Sequence, residues 1–382
     1  MRLPWLGNDR KANRQPSSAV YHIETIADVS VPERRESIRF FSRKLVRPGK
    51  LRGFSNGDLR ESLLFCLYLG AASILPVAWW EPICNWVSTL RRKRHVRKEF
   101  VRYDAAVRAV LGEHIDTRRI FEKFLVATHR RRFLVAAHLA SGRRWSPLIR
   151  LEGLDGLRLA LLRGRGAIVW CDQFTAQTVM GKRALFEAGV SAVQVSINFH
   201  GLSETKFGLH VLNRPLFKVE DRFLKDRIVF ERADTHQVTA RIQKTLKENG
   251  VVLMTNTIHA GSTFAEAGLG ARGWTHVASA PANFAARAGA ALFAMSTLET
   301  VPFREYVAMI SPELRPDWQE PASQPPDAVA AKNLILQAGY ILLKRDRLLE
   351  ALKLRPEQMM VWSSAGRFTE RPEEAARSND AA

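Results

Sequence analysis

The chain has 382 residues, 46% of them hydrophobic, and a formal charge of +20. That length accommodates two domains or one large domain with an appendage, and that apolar content excludes a globally disordered chain. The charge is uneven: residues 1–100 carry 19 Lys/Arg against 9 Asp/Glu and residues 101–150 carry 11 against 4, so the basic surface lies on one side and suits anionic lipid, nucleic acid or an acidic partner.

Residues 1–60 are polar and Arg-rich and contain no secretory signal, so they read as a basic, flexible extension, punctuated by Pro16-Ser17-Ser18 and Arg47-Pro48-Gly49. Ser62 to Trp80 is an uncharged run, SLLFCLYLGAASILPVAWW, of about membrane-spanning length. Pro76 predicts a kink in it. Trp79, Trp80 and Trp86 fall at its end, and Arg91-Arg92-Lys93-Arg94-His95 follows. Tryptophan prefers the bilayer interface and clustered cations suit anionic head groups. Residues 61–95 therefore read as a membrane-associated helical segment with a basic flank, spanning the bilayer or dipping into one leaflet. A buried core helix is the plain alternative. Of the three cysteines, Cys66, Cys84 and Cys171 show no metal-ligand spacing and read as reduced thiols, small buried hydrophobes.

Residues 96–145 carry helical periodicity, interrupted by Arg130-Arg131-Arg132, which suits equally a solvated helix face or a contact with lipid or a carrier protein. From Leu148 short apolar runs alternate with helical patterns. Strands are predicted at Ile149–Leu151, Ala167–Trp170, Ala192–Ile197, Arg227–Phe230, Val251–Thr255, Ala291–Ser296 and Tyr306–Ile310. Helices are predicted near Leu154–Leu162, Ala176–Ala188, His236–Lys247, Pro281–Ala288 and Ala328–Leu354. This rhythm predicts an α/β fold with a mixed, largely parallel sheet covered by helices over residues 96–372, then a polar tail, 373–382. Gly164-Arg165-Gly166 forms the turn into the strand ending at Trp170, and Cys171-Asp172-Gln173 crosses from it into a helix. Open α/β sheets collect ligands at such crossings.

Five blocks in order resemble the bacterial late acyltransferases of lipid A biosynthesis, the lauroyl/myristoyl transferases of the lysophospholipid acyltransferase superfamily. They are the anchor ending LPVAWW, RLEGLDGLRLALLRGRGAIVW, TLKENGVVLMTN, GWTHVASAPANFAARAGAALFA and RPEQMMVWSSAGRF followed by Arg371-Pro372. The resemblance covers roughly residues 62–372. It implies an acyltransferase-like fold at the cytoplasmic face of the inner membrane. It also implies an acyl donor, acyl carrier protein or acyl-CoA, and a hydroxyl acceptor on a membrane lipid or glycolipid, with no cofactor. The family's catalytic motif is His, four residues, then Asp or Glu. A histidine there serves as general base and the carboxylate orients it.

In this chain the motif positions hold Gln173 and Thr178, and none of the ten histidines has Asp or Glu five residues later. Asn256-Thr257 stands where the family carries Asp-Gln. Three readings remain open: a rearranged base, with Asp172, His259 or the His200/Glu204 pair as candidates; a catalytically inactive lipid- or acyl-carrier-binding protein; or an acceptor that requires no histidine. Arg227 matches a basic position of the family and is a candidate phosphate or thioester-oxygen ligand, alongside Asn256; Arg227 reads equally as a surface arginine. Trp362 and Arg367 read as structural. Nucleic-acid binding lacks any recognition motif, and Gly164-Arg165-Gly166 precedes its strand where a dinucleotide fingerprint follows one.

Overall fold

The computed structural model describes residues 20–31, 34–47, 50–197, 201–230, 235–256, 262–316 and 327–362. In chain order these form β1 (Val20–Val31), β2 (Glu36–Arg47), α1 (Asn56–Ile74), α2 (Trp80–Leu111), α3 (Thr117–Ala140), β3 (Leu148–Glu152), α4 (Leu154–Leu162) and β4 (Ala167–Cys171). There follow α5 (Lys182–Glu187), β5 (Ala192–Ile197), α6 (Arg214–Glu220), β6 (Asp226–Phe230), α7 (Thr235–Lys247), β7 (Val251–Thr255), β8 (Thr263–Leu269) and β9 (Gly273–Ala278). The chain continues with α8 (Ala280–Ala288), β10 (Ala291–Val301), β11 (Glu305–Ile310) and α9 (Asp327–Leu354).

The main sheet has seven strands in the order β3-β11-β10-β4-β7-β5-β6. Every adjacent pair is parallel except β10 with β11. β4 is the central strand and all five of its residues are buried, as a parallel strand covered on both faces requires. One face packs on α7, α8 and α9 through residues such as Ile242, Ala285 and Ile341. The other packs on α4 and α5 through Leu157, Ala184 and Leu185. The predicted strands and helices of residues 148–354 are therefore present, and the α/β class with a largely parallel sheet holds.

The turn before β4 is sterically specified. Gly166 has φ +62°, and a Cβ there would lie 2.4 Å from the Leu246 carbonyl oxygen at the end of α7. Its N–H donates to Asn249 Oδ1, whose amide in turn donates to the Leu161 carbonyl. The α4–β4 turn is thus locked to the α7–β7 turn beside it.

Three expectations change. First, residues 20–47, read as part of a flexible extension, form a β-hairpin that joins β8 and β9 in a separate antiparallel sheet, β1-β2-β8-β9. Its inward residues Val29, Val31, Ile38 and Phe40 enter the core against α9, while the charges occupy other positions of the strands. Charge on the outward positions masked this alternation.

Second, the Ser62–Trp80 run is not one helix. α1 ends before Leu75, whose backbone is extended (ψ 147°) as the residue before Pro76 must be, and α2 begins at Trp80. Tyr68, Ala71, Ala72, Trp80 and Cys84 are buried against Phe133 and Ala137 of α3. Among the described residues no helix is long and apolar enough to cross a membrane. The helical region 96–145 is also divided, at Gly112, between α2 and α3.

Third, the Arg130-Arg131-Arg132 run is neither a solvated face nor an open contact. Arg130 Nε lies 2.5 Å from Glu299 Oε2 and Arg132 Nε lies 2.7 Å from Glu61 Oε2, both carboxylates being buried, and Arg131 is buried as well.

Candidate functional site

The crossing from β4 begins where the central strand's apolar run ends. Asp172 is tied to the sheet by its backbone N–H, which donates to Met295 O of β10 at 2.9 Å. Its side chain is 1% exposed and lies 2.5 Å from Lys344 Nζ of α9, itself 2% exposed. Ser296 Oγ donates to the second carboxylate oxygen at 2.7 Å. Both carboxylate oxygens therefore face groups of the fold, a buried cation and a hydroxyl. Asp172, a candidate base in the sequence, is a structural anchor between β4, β10 and α9.

A second set of contacts covers the rest of the crossing. The segment after α9, Pro356 to Trp362, lies along it. Gln358 O accepts from Thr175 N–H at 2.9 Å, and Met360 N–H donates to Gln173 O at 3.0 Å. Phe174 and Met359 form an antiparallel bridge. The Gln358 side chain makes two further bonds to the backbone of Glu299, at 2.8 and 2.7 Å. Trp362 Nε1 donates to Pro356 O at 2.6 Å and the ring is buried. The closing Pro-Glu-Gln…Trp block is therefore a strap across the crossing, which agrees with the structural role expected for Trp362. Arg367 lies outside the described residues.

After the crossing the chain makes a π-helical turn, Gln177–Gly181, before α5. Thr178 sits half-buried in this turn. A Cβ at Gly181 would lie 2.5 Å from Gln177 Nε2 and 2.8 Å from Thr297 Oγ1, so a larger residue there would displace these side chains. Cys171 is buried beside it, and burial pushes its thiol up to about 12, so it is no nucleophile.

Arg227 stands on β6, three strands from β4, with roughly 14 Å of sheet between them at ~4.8 Å per strand. Its guanidinium lies 2.7 Å from Glu220 and 2.7 Å from Asp221 and sits over the Phe217 ring. Glu220 also holds Lys182 at 2.8 Å, with both side chains buried. Burial, opposed by Glu220, draws the Lys182 ammonium below its usual range. Arg227 is therefore neither a free surface arginine nor presented to the crossing; it belongs to a compensated ion cluster linking α5, α6 and β6.

Asn256 adjoins the crossing. Its N–H donates to Cys171 O at 3.1 Å, and its Oδ1 accepts from Ala278 N–H of β9 at 3.0 Å. It joins the two sheets. His259, His200 and Thr257 lie outside the described residues.

Of the expected site residues, then, the fold brings Asp172, Gln173, Thr178 and Asn256 to one edge of the sheet and leaves Arg227 apart. Lys344, Ser296 and Gln358 were not foreseen. Lys344 carried a signal: it lies three residues after Ile341 and four before Leu348, on the apolar stripe of α9, where a lysine requires a buried anion. A histidine–carboxylate pair also exists, on β9 and β8, with the histidine buried and the glutamate partly so. His276 Nε2 lies 2.8 Å from Glu266 Oε1, and the Phe264 ring stands edge-on to the imidazole at 5.2 Å. Cross-strand register, not sequence spacing, makes that pair. Among the described residues no group of three or more His, Cys, Asp and Glu side chains is arranged to hold a metal ion.

No protein-family model matches the chain, and no curated protein matches it significantly in sequence.

Proposed function

We propose that this chain is a membrane-associated protein of acyltransferase-like architecture that engages a lipid or acyl-carrier ligand without His–acid catalysis at its crossing. The reading places it at the cytoplasmic face of the inner membrane, with acyl carrier protein or acyl-CoA as the acyl-bearing partner and a membrane lipid or glycolipid as the second. It draws on the five sequence blocks and the largely parallel sheet. The observation that carries its non-catalytic part is the Asp172–Lys344–Ser296 arrangement. The one acidic group at the crossing is neutralised, and Gln173 cannot accept a proton. Loss of a general base typically costs about 10²–10⁴ in rate.

The experiment supplies purified protein with acyl-carrier-bound and CoA-bound labelled acyl chains and a total lipid extract. Binding of the acyl carrier without a labelled acceptor supports the proposal. A labelled lipid rejects it. The His276–Glu266 pair, with its imidazole buried, favours a second reading, in which transferase chemistry has moved to β9. Under that reading label appears in a lipid and is lost in His276→Ala.

A further inference from the structure

Between β5 and β6 the chain forms one helical ribbon over residues 206–223. It opens with a π-helical turn, Gly208–Leu212, runs on as α6 and closes in a tighter turn, Asp221–Phe223. Its residues sort at steps of four. Gly208, Leu212, Leu216 and Glu220 are buried, whereas Lys206, His210, Arg214, Lys218 and Arg222 are all exposed. In an α-helix alone, four residues turn about 40° past a full circle, so such a series would wind off one face. The π turn corrects this. Asn213 N–H donates to Gly208 O at 2.9 Å, a wider turn that falls short of the circle after four residues. The four cations and the histidine therefore stand in a straight line of about 20 Å. Beside them Phe207, Val211 and Pro215 make a parallel apolar line, with Val211 49% exposed.

Elsewhere around the ribbon the cations are neutralised: Arg130, Arg132, Arg183 and Arg227 each face a carboxylate. Among the described residues none of the five on the line does. The ribbon's own acids are engaged elsewhere, Glu220 with Lys182 and Arg227, and Asp221 with Arg227. We infer that this line docks an acidic helix of a partner protein. Carboxylates at four-residue spacing meet the cations, and the partner's apolar side meets Phe207, Val211 and Pro215. Three observations choose this occupant. Cations in single file fit a rod, whereas an anionic bilayer meets a patch. The apolar line offers nothing to a phosphate backbone, and no aromatic ring stands among the cations to stack a base. Finally, no described helix of this chain carries carboxylates at three successive steps of four, so a second copy has no complementary face.

The ribbon is fixed before any partner arrives. Leu216 and Val219 pack on Val135 of α3 and on Val179. Thr205 Oγ1 donates to Asp58 at the start of α1 at 2.9 Å, and the Asn213 side chain bonds the backbone of Leu202 and Ser203. Docking on such a surface carries little ordering cost. Its direction follows from the sheet. β4, β7, β5 and β6 are parallel, so the ribbon returns the chain from their carboxyl ends, the edge of the crossing, to the opposite edge. Lys206 lies towards the first edge and Arg222 towards the second, and a helix on the line has one end beside the crossing. The surface is argued from the ribbon's own charges and stands apart from the lipid and acyl ligands of the proposed function.

The test uses the full chain and two fluorescent helical peptides of about 20 residues, built of glutamate, leucine and alanine. One carries glutamate at every fourth position; the other has the same composition with its glutamates in one block. Anisotropy titrations at low ionic strength should show the spaced peptide binding about tenfold or more tightly than the block peptide. Arg214→Glu with Lys218→Glu, both exposed, should weaken the spaced peptide about a hundredfold while the thermal melt is unchanged. Lys244→Glu with Lys247→Glu, exposed at the end of α7 and away from the line, should leave it intact. Absence of binding overturns the proposal, as does equal binding of the two peptides or equal loss in the α7 variant. A DNA oligonucleotide or phosphatidylglycerol vesicles bound more tightly than the spaced peptide, with the same sensitivity to Arg214 and Lys218, overturn it in favour of nucleic acid or lipid. The labelled-lipid readout of the proposed function is unaffected by any of these results.

Discussion

Asp172 and Lys344 face each other at 2.5 Å in the interior, one from the end of the central strand and one from the last long helix. A buried pair of this kind responds asymmetrically to mutation. Removing one partner strands a charge away from water, whereas replacing both with apolar groups of similar volume is often neutral. Asp172→Ala or Lys344→Ala is therefore expected to lower stability by about 3–5 kcal/mol, and Asp172→Leu combined with Lys344→Met to recover most of it. Urea unfolding of the three variants checks this. A mild Asp172→Ala phenotype would return that residue to the list of groups available for chemistry.

The strap gives the second expectation. Gln358→Ala removes both bonds to the Glu299 backbone and leaves a buried N–H and C=O without partners, a loss of about 1–3 kcal/mol for each unsatisfied group. Hydrogen exchange at Thr175 and Met360, the amides that close the strap, should quicken together in this variant. Unchanged protection of both amides would mean that the strap is held by Trp362 and Met359 alone.

At the entry to β4, Gly166→Ala meets the Leu246 carbonyl and a positive φ at once. The combined strain is expected to exceed about 2 kcal/mol, against gains of under about 1 kcal/mol where alanine replaces a compatible glycine. Gly164→Ala, with open space around its Cβ, carries only the backbone part and should be milder. Thermal melts of the two variants order them.

A fourth expectation concerns pH. Burial, with Arg183 and Arg222 adding to it and the Leu134 carbonyl opposing, lowers His138 to about 4 from an ordinary 6.5. The folded value lies below the unfolded one, so the unfolded chain takes up the proton first. The stability present above pH 6.5 is then lost progressively as pH falls to about 4, by about 3 kcal/mol in total. His138→Gln should flatten that part of the stability–pH curve.

β4 and α7 were legible because local chemistry suffices for them: a five-residue apolar run between a glycine turn and polar residues, and Val238, Ile242 and Leu246 at helical spacing. β1 and β2 were not, because their outward positions are charged and their inward ones acquire meaning only when α9 covers them.

At the candidate site the division is sharper. Spacing alone shows that none of the ten histidines stands five residues before an acid. It could not reveal that Asp172 is neutralised, since its partner Lys344 lies 172 positions away and only the packing of α9 on the sheet brings them together. Nor could it reveal His276 with Glu266, a pair set by strand register. The α/β rhythm, the uneven charge and the absence of the His–acid spacing are legible in the residues alone, because each is a property of neighbours along the chain. The tertiary structure decided which charges are spent on one another and which apolar faces remain uncovered, because burial and ion pairing depend on what the fold places across from each residue.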